Sequence, residues 1–144
     1  MSDSSINFFF EETEEPELDY QKIKHWLLLL IKSYGFNLRE INYIVCSDNY
    51  LLAVNKEYLN HDYFTDIITF DNSEIDNEIE SDIFVSMERI IDNSINLQTD
   101  QLEETLRVLA HGVLHLCGFK DKTPENAKEM RFEENKAIEL YHRT

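Results

Sequence analysis

The sequence is poor in the residues that mark linkers, disulfide scaffolds and membrane spans. Three glycines and two prolines in 144 residues leave no stretch typical of a flexible linker. The two cysteines, Cys46 and Cys117, are not spaced as a metal-binding or redox pair. The longest aliphatic run covers only residues 27–31, far too short to cross a membrane. A chain of this length buries roughly 70% of its unfolded surface, so one domain spanning residues 1–144 is predicted, without disulfide support.

Positive charge is also scarce, with 13 basic residues against 29 acidic ones and a net charge of −16. This balance argues against indiscriminate nucleic-acid binding, which normally needs a basic surface. The exception is residues 107–131, where five basic and three acidic residues give +2, so the rest of the chain carries −18. Either this segment faces a less negative cleft, or its charges form ordinary helix-surface pairs such as Glu103 with Arg107.

The order of apolar and polar residues predicts an α+β fold, with a small mixed four-stranded sheet covered by helices. The N-terminal residues lack the basic region and the apolar segment of an export signal. We therefore expect a cytoplasmic location without membrane attachment. The polar stretch at residues 71–80 is interpreted as a turn, with a disordered insertion as the alternative. Strands are predicted at residues 6–10, 42–46, 65–70 and 82–86, and helices at residues 19–34, 47–58, 87–91, 101–117 and 124–141.

Two histidines four residues apart carry most of the chemical information in the chain. On a helix, His111 and His115 lie on one face, about 6 Å apart along the axis, where both imidazoles can bind one ion. Gly118 is suited to ending that helix, which lets the chain turn back and present the carboxylate of Asp121. Three protein ligands leave a coordination position open, as in catalytic metal sites. The simpler alternative is a helix whose two histidines merely border a leucine-rich core.

The residue after the first histidine indicates the kind of chemistry. Zinc peptidases of the His-Glu-x-x-His type carry a general-base glutamate there, but this chain has Gly112. A phosphodiester is a better substrate for such a site, because a metal can polarise the phosphoryl oxygen and activate water. Cys117 is close enough in sequence to approach the ion, although such a cysteine is usually a small buried apolar residue.

Three sequence blocks resemble the YbeY-type endoribonucleases, also called rRNA maturation factors. The family signature His-Gly-x-Leu-His-Leu-x-Gly-Tyr-Asp-His corresponds to residues 111–121, which are His-Gly-Val-Leu-His-Leu-Cys-Gly-Phe-Lys-Asp. The family block Asn-x-x-Phe-Arg-x-Lys-Asp-x-x-Thr-Asp-Val-Leu-Ser-Phe corresponds to residues 55–70, Asn-Lys-Glu-Tyr-Leu-Asn-His-Asp-Tyr-Phe-Thr-Asp-Ile-Ile-Thr-Phe. The family's Gly-Asp-Ile corresponds to Ser81-Asp82-Ile83. The blocks occur in the family's order and span most of the chain.

The resemblance implies a metal-dependent endoribonuclease, usually taken to use zinc, that cuts single-stranded RNA. In bacteria the family is involved in maturation of the 3′ end of small-subunit (16S) rRNA and in ribosome quality control. It therefore implies rRNA and the small ribosomal subunit, or a ribosomal protein, as partners. Two alternatives stay open: a metal-stabilised ribosome-associated factor without turnover and, from ligand spacing alone, a metallopeptidase.

The chain departs from the family at two positions that bear on chemistry. Asp121 stands where the family has its third histidine; a one-residue insertion would instead put Lys122 there, but a protonated lysine is a poor ligand. Two imidazoles and a carboxylate suit zinc, and also iron(II), manganese or nickel. Leu59 replaces an arginine thought to serve the RNA. No protein general base is identified, and the candidate RNA contacts are His61, Arg107, Lys120 and Lys122.

Overall fold

The sheet and helices expected from the sequence are present in the computed structural model, which describes residues 5–144. The strands are β1 (Ser5–Glu11), β2 (Asn37–Cys46), β3 (Ile67–Asp71) and β4 (Glu78–Ser86). The helices are α1 (Tyr20–Ser33), α2 (Asp48–Leu59), α3 (Met87–Asn96), α4 (Gln101–Leu116) and α5 (Pro124–Arg143). The α+β class with a mixed four-stranded sheet is therefore confirmed. None of the helices within residues 5–144 has the length and apolar character needed to cross a membrane.

The four strands lie in the order β1-β2-β4-β3. Strand β2 is parallel to both β1 and β4, and β3 is antiparallel to β4. This arrangement puts β3 at one edge of the sheet, and residues 60–64, which lead from α2 towards β3, are exposed to solvent. Strand β3 also contacts α4, the helix that carries the two histidines.

Side chains alternate between the two faces of the sheet, and each face has its own core. The larger core joins the sheet to α1, α3, α4 and α5, and includes Trp26, Tyr43, Ile83, Leu106 and Ile138. The smaller one lies under α2 and consists of Cys46, Leu51, Val54 and Ile68, with three partly buried aromatic side chains beside it. Helix α4 is thus embedded between the sheet and α5, while α2 covers the other face almost alone.

Two buried side-chain hydrogen bonds fix the helices that shape the site. The hydroxyl of Tyr43 on β2 donates to the carbonyl oxygen of Leu109 on α4 at 2.9 Å. The indole N–H of Trp26 on α1 donates to the carbonyl oxygen of Ala137 on α5 at 2.7 Å. Both donors are fully buried, where an unpaired polar group would be costly, so these bonds hold α4 and α5 in register with the core.

The helix boundaries follow ordinary capping chemistry. Each N-terminus is capped by a side chain that accepts a backbone N–H, and α5 also begins with proline, which is already suited to the first helical turn. At the end of α4, Cys117 is the cap residue and Gly118 adopts φ 103°, a conformation that favours glycine. This turn brings residues 119–121 back over the helix end. The N-caps are Asp19, Ser47, Ser86, Asp100 and Thr123.

Three elements extend at least four residues beyond the bounds predicted from the sequence. Strand β2 begins at Asn37 rather than 42, β4 at Glu78 rather than 82, and α3 ends at Asn96 rather than 91. The extra strand residues are largely polar and partly exposed, so they lack the apolar enrichment expected of strands, yet their backbones pair with each other. The alternative of a disordered insertion at 71–80 is wrong, because Asp71 ends β3, residues 75–77 form a bend and turn, and β4 begins at Glu78.

Candidate metal centre

The predicted donor groups converge at the C-terminal end of α4. The imidazole rings of His111 and His115 have centroids 4.6 Å apart and are nearly perpendicular, with an interplanar angle of 86°. Oδ2 of Asp121 lies 3.2 Å from Nε2 of His111 and 3.4 Å from Nε2 of His115. The turn after Gly118 therefore delivers Asp121 to both rings, and the predicted juxtaposition is confirmed.

Hydrogen bonds on the far side of each ring fix which nitrogen faces the centre. Nδ1 of His111 lies 2.7 Å from Oε2 of Glu134, and Nδ1 of His115 lies 3.0 Å from the carbonyl oxygen of Phe119. Both partners are acceptors, so each Nδ1 carries a hydrogen and donates it. The Nε2 atoms are then left to face Asp121, an arrangement that orients and strengthens histidine ligands in metal sites.

The spacing of the three donor atoms fits a small cation. His111, His115 and Asp121 each offer one ligand atom, and these three atoms all lie within 4.8 Å of one another. Ligands about 2.0–2.1 Å from an ion in tetrahedral coordination are about 3.3 Å apart, close to the two distances from Asp121. The donor set of two imidazoles and one carboxylate leaves one position of a tetrahedron for water or substrate. The residues present thus fit a catalytic rather than a closed structural site.

Glu134 on α5 contacts the site directly, although the sequence patterns did not identify it. It is only 5% exposed, and besides His111 its carboxylate accepts a hydrogen bond from Nη1 of Arg107 at 3.0 Å. Burial would raise the pKa of Glu134, but the bonds from His111 and Arg107 outweigh burial and hold that pKa below its usual range. Glu134 is therefore a buried carboxylate that stays charged and orients His111.

The electrostatic environment of His111 favours a positive charge. Burial by itself would lower the pKa of His111, but the hydrogen bond to Glu134 and the charges of Glu134, Asp121 and Asp66 raise it above its usual range. Burial raises the pKa of Asp66, and the charge of His111 partly opposes that rise. A cation placed among these carboxylates, whether a proton or a metal ion, is stabilised by the same attraction.

The centre opens into a cleft with a volume of about 600 Å³. One side is formed by the metal-site residues, and the other by the segment from the end of α2 into β3. Leu59, His61 and Lys122 line this cleft, so two of the predicted RNA contacts and the arginine substitution lie beside the centre. The remaining lining includes Tyr63, Thr65, Asp66, Thr69 and Asp71.

The other two predicted RNA contacts lie elsewhere. Arg107 lines a neighbouring cavity of about 420 Å³, which shares His111 and Asp121 with the main cleft. Its Nη1 atom donates to Glu134 and to Oδ1 of Asn135, each at 3.0 Å. Lys120 is exposed in the turn after α4 and is not among the residues that line either cavity. Contact of RNA with Arg107 or Lys120 stays a prediction.

Gly112 lies on the side of α4 that packs on the sheet. A Cβ atom at this position would be 3.1 Å from Cδ1 of Ile67 and 3.1 Å from Cδ1 of Ile83. The glycine thus permits close approach of helix and sheet. A side chain at this position would point into the core, so residue 112 has neither the group nor the direction needed for a peptidase base.

Cys117 behaves as the small packing residue expected from its type. Its side chain packs at the margin of the larger core, and burial raises the pKa of the thiol to about 12. Within residues 5–144, the group of side chains that could hold a metal ion consists of His111, His115 and Asp121, without Cys117. The proximity of Cys117 to His115 in sequence therefore does not make it a fourth donor.

The fold and the donor set define a class of protein. Its members are small α+β proteins with two imidazoles and a carboxylate at a helix end, beside an open cleft. The model of the family described as endoribonuclease YbeY matches residues 8–142 of this chain. The chain therefore belongs to the endoribonuclease YbeY family, and the resemblance noted from the sequence blocks is confirmed.

Individual relatives agree with the family match. The chain is 49% identical over 137 residues to a Flavobacterium johnsoniae protein named endoribonuclease YbeY, covering 95% of this chain and 97% of the relative. It is 45% identical over 140 residues to a Cytophaga hutchinsonii protein of the same name, covering 97% and 98%. The solution structure of TM1509 from Thermotoga maritima has the same fold, with a TM-score of 0.67, 24% identity, and coverage of 93% and 88%.

Proposed function

We propose that this chain is a single-domain, metal-dependent endoribonuclease that cuts single-stranded RNA during maturation of the 3′ end of small-subunit (16S) rRNA and in ribosome quality control. Membership of the endoribonuclease YbeY family supports the endoribonuclease activity. The cytoplasm is the proposed location and the small ribosomal subunit, or one of its proteins, the proposed partner. A partner on the ribosome would supply affinity that a chain of net charge −16 lacks.

The observation that carries this proposal is the convergence of Asp121 on both histidines. Its Oδ2 atom lies 3.2 Å and 3.4 Å from two Nε2 atoms whose rings are held by hydrogen bonds on their other nitrogens. Such an arrangement would hold one cation without rearrangement, and all three side chains line the cleft. We assign the ligands as His111, His115 and Asp121, and zinc as the ion.

A bound divalent ion supplies Lewis acidity, which polarises a phosphoryl oxygen and lowers the pKa of water. The protein's own residues do the rest of the positioning. Glu134 and the carbonyl of Phe119 hold the imidazoles in a fixed tautomer. Lys122 lines the cleft and is placed to pair with a phosphate of the RNA. Residues 65–69 also line the cleft, and we propose that the RNA strand lies against them.

The test combines metal analysis with cleavage. Protein purified without an affinity tag or added metal is expected to contain about one equivalent of a divalent ion, which elemental analysis identifies. His115→Ala should lose both the ion and cleavage of an unstructured RNA. His25→Ala, which changes an exposed histidine on α1, is the matched control and should keep both. Cleavage that survives unaltered in highly purified His115→Ala would contradict the assignment.

The second candidate function is a metal-stabilised ribosome-associated factor without turnover. It is favoured by one observation: Leu59, which lines the cleft, offers no charge where the family has an arginine. A single-turnover assay on unstructured RNA with zinc, manganese, iron(II) or nickel, with and without the ribosomal subunit, separates the two. Cleavage in any metal-replete reaction that His115→Ala abolishes would exclude the non-catalytic alternative.

A further inference from the structure

The loop between α2 and β3 presents a pair of aromatic rings to the cleft. The rings of His61 and Tyr63 have centroids 5.1 Å apart and are nearly parallel, with an interplanar angle of 20°. The hydroxyl oxygen of Tyr63 lies 3.0 Å from Nδ1 of His61, which holds the two rings together. Both residues line the cleft that contains the metal centre, and Tyr63 is 55% exposed.

A single buried residue fixes the backbone that carries these rings. The side-chain N–H of Asn55 on α2 donates to the carbonyl oxygen of Tyr63 at 2.9 Å. The backbone carbonyl oxygen of Asn55 accepts a hydrogen bond from the backbone N–H of His61 at 3.1 Å. Asn60 ends α2 in the left-handed conformation, with φ 56°, which sends the chain back toward Asn55. Because both ends of the tripeptide are tied to one residue, the backbone that carries the rings loses little freedom when a ligand binds.

The charge around the rings disfavours a phosphate as their ligand. Among the described residues that line the cleft, Lys122 is the only lysine or arginine. Three acidic residues, Asp66, Asp71 and Asp121, line the same cleft. Leu59 adds an apolar surface instead of a cation. A flat heterocycle gains from stacking on an aromatic ring without needing a positive partner.

We propose that the Tyr63–His61 pair is a stacking platform for an unpaired nucleobase, which places a single-stranded RNA beside the metal centre. This inference rests on the proposed function, because it assumes that RNA is the substrate. Stacking requires that the base be unpaired, so the platform selects single strands over duplexes. It also supplies affinity that does not depend on counterion release, which suits a chain of net charge −16.

The direct test uses short RNA oligonucleotides with 2-aminopurine at successive positions and phosphorothioate linkages that slow cleavage, bound to the metal-loaded protein. At the position that stacks, fluorescence should be quenched on binding. Tyr63→Leu should weaken binding about tenfold and remove the quenching. Tyr63→Phe keeps the ring and should stay within about twofold of the unaltered protein. The duplex form of the same RNA should show no quenching.

The matched control is Tyr58→Leu, because Tyr58 is a 63% exposed tyrosine on α2 that does not line the cleft. It should bind RNA like the unaltered protein. In the metal-loaded protein, Tyr63→Leu should raise KM about tenfold with little change in kcat at saturation. A substitution that merely disturbed the fold would also lower the midpoint of unfolding, which is measured in parallel.

The outcomes separate this inference from the function on which it rests. RNA cleavage with equal affinity and quenching in Tyr63→Leu would overturn the platform and leave the nuclease intact. Quenching that depends on Tyr63, together with no cleavage under any metal, would support the platform and count against the nuclease. Absence of measurable binding by the unaltered protein, or quenching by duplex equal to that by single strands, would overturn the platform.

Discussion

The two sides of the cleft are built differently. On the metal side, formed by α4, the turn at 117–122 and α5, polar groups are packed and paired: Glu134 is 5% exposed and accepts bonds from His111 and Arg107. On the loop side, formed by residues 59–66, the side chains of residues 59–64 are exposed, and Leu59 is 40% exposed. The buried polar side depends on exact partners, because an unpaired group there is costly, whereas the exposed side has few such constraints.

The departures from the family pattern follow this difference. On the metal side the replacement of histidine by Asp121 preserves a donor atom, which lies 3.2 Å and 3.4 Å from the two rings. On the loop side the replacement of arginine by Leu59 removes charge and hydrogen bonding altogether. The same comparison predicts large effects for changes on the metal side and smaller ones on the loop side, which depend on salt where a charge is added.

The largest effect is expected from Gly112→Glu. Residue 112 points at Ile67 and Ile83, so a glutamate would force a carboxyl group into a packed core. We expect the free energy of unfolding to fall by about 4 kcal/mol, from overpacking and burial of the carboxyl group together. Urea titration followed by circular dichroism measures this loss, and no peptidase activity should appear.

Gly112→Ala is the control for that change. Its methyl group meets Cδ1 of Ile67 and Cδ1 of Ile83 at 3.1 Å and Cγ2 of Ile83 at 3.4 Å, and the helix gains about 1 kcal/mol from replacing glycine. The two effects oppose each other, so we expect the stability to stay within about 1 kcal/mol of the unaltered protein. A folded Gly112→Glu protein with normal stability would show that the helix and sheet are not closely packed there.

The second prediction concerns Asp121→Ala, which removes one of three donors. Loss of an outer hydrogen-bonding partner alone lowers metal affinity about 10–100-fold, so loss of a donor should lower it more than about 100-fold. Competition against a chromophoric chelator measures the affinity. Because the Asp121 side chain is partly exposed, the fold should survive, and circular dichroism checks this.

Lys122→Ala decides between the two alignments of the family signature. If Asp121 is the third donor, Lys122→Ala should leave metal affinity unchanged, although RNA binding should weaken. If the alignment with a one-residue insertion were right, Lys122 would hold the ion instead of Asp121. Unchanged zinc affinity in Asp121→Ala, with a loss in Lys122→Ala, would therefore refute the ligand assignment.

The third prediction concerns Glu134→Gln. Glutamine has the size of glutamate and an oxygen that accepts hydrogen bonds, but it lacks the charge that stabilises a cation beyond His111. Metal affinity should fall about 10–100-fold in the same chelator competition. Glu139→Gln, an exposed change on the same helix, should bind metal normally. Equal affinity in both variants would mean that the bond between Glu134 and His111 contributes nothing to the centre.

Much of this arrangement follows from local rules that the sequence displays. His111, His115 and the turn at Gly118 follow from helix geometry and from the conformational freedom of glycine, so their convergence with Asp121 was predictable. Strand and helix cores were also predictable, because apolar periodicity reports burial directly. The polar beginnings of β2 and β4 were not, because their pairing depends on strands distant in sequence.

Glu134 shows why the remaining part of the site was missed. It lies 23 residues after His111, and only the packing of α5 on α4 brings the two together. One signal was available: on α5 it shares the buried face with Met130, Ala137, Ile138 and Tyr141. A glutamate within an apolar stripe needs a buried partner, but the sequence alone does not name that partner.

The smallest effect is expected on the loop side, from Leu59→Arg. This change restores a cation to the cleft, and one added phosphate contact on single-stranded RNA should steepen the slope of log affinity against log salt by about 0.7. Counterion release then predicts about eightfold tighter binding at 0.05 M salt and about threefold at 0.2 M. Fluorescence anisotropy of a labelled RNA across this salt range measures both quantities.

Leu29→Arg is the matched control, because Leu29 is a 37% exposed leucine on α1 that does not line the cleft. It adds the same charge, so any gain it shows reports the net charge of the whole molecule rather than the cleft. A slope that changes equally in both variants would mean that RNA does not follow the loop side past residue 59. A steeper slope in Leu59→Arg alone would show that the position still faces the RNA backbone and that leucine there lowers electrostatic affinity without closing the cleft.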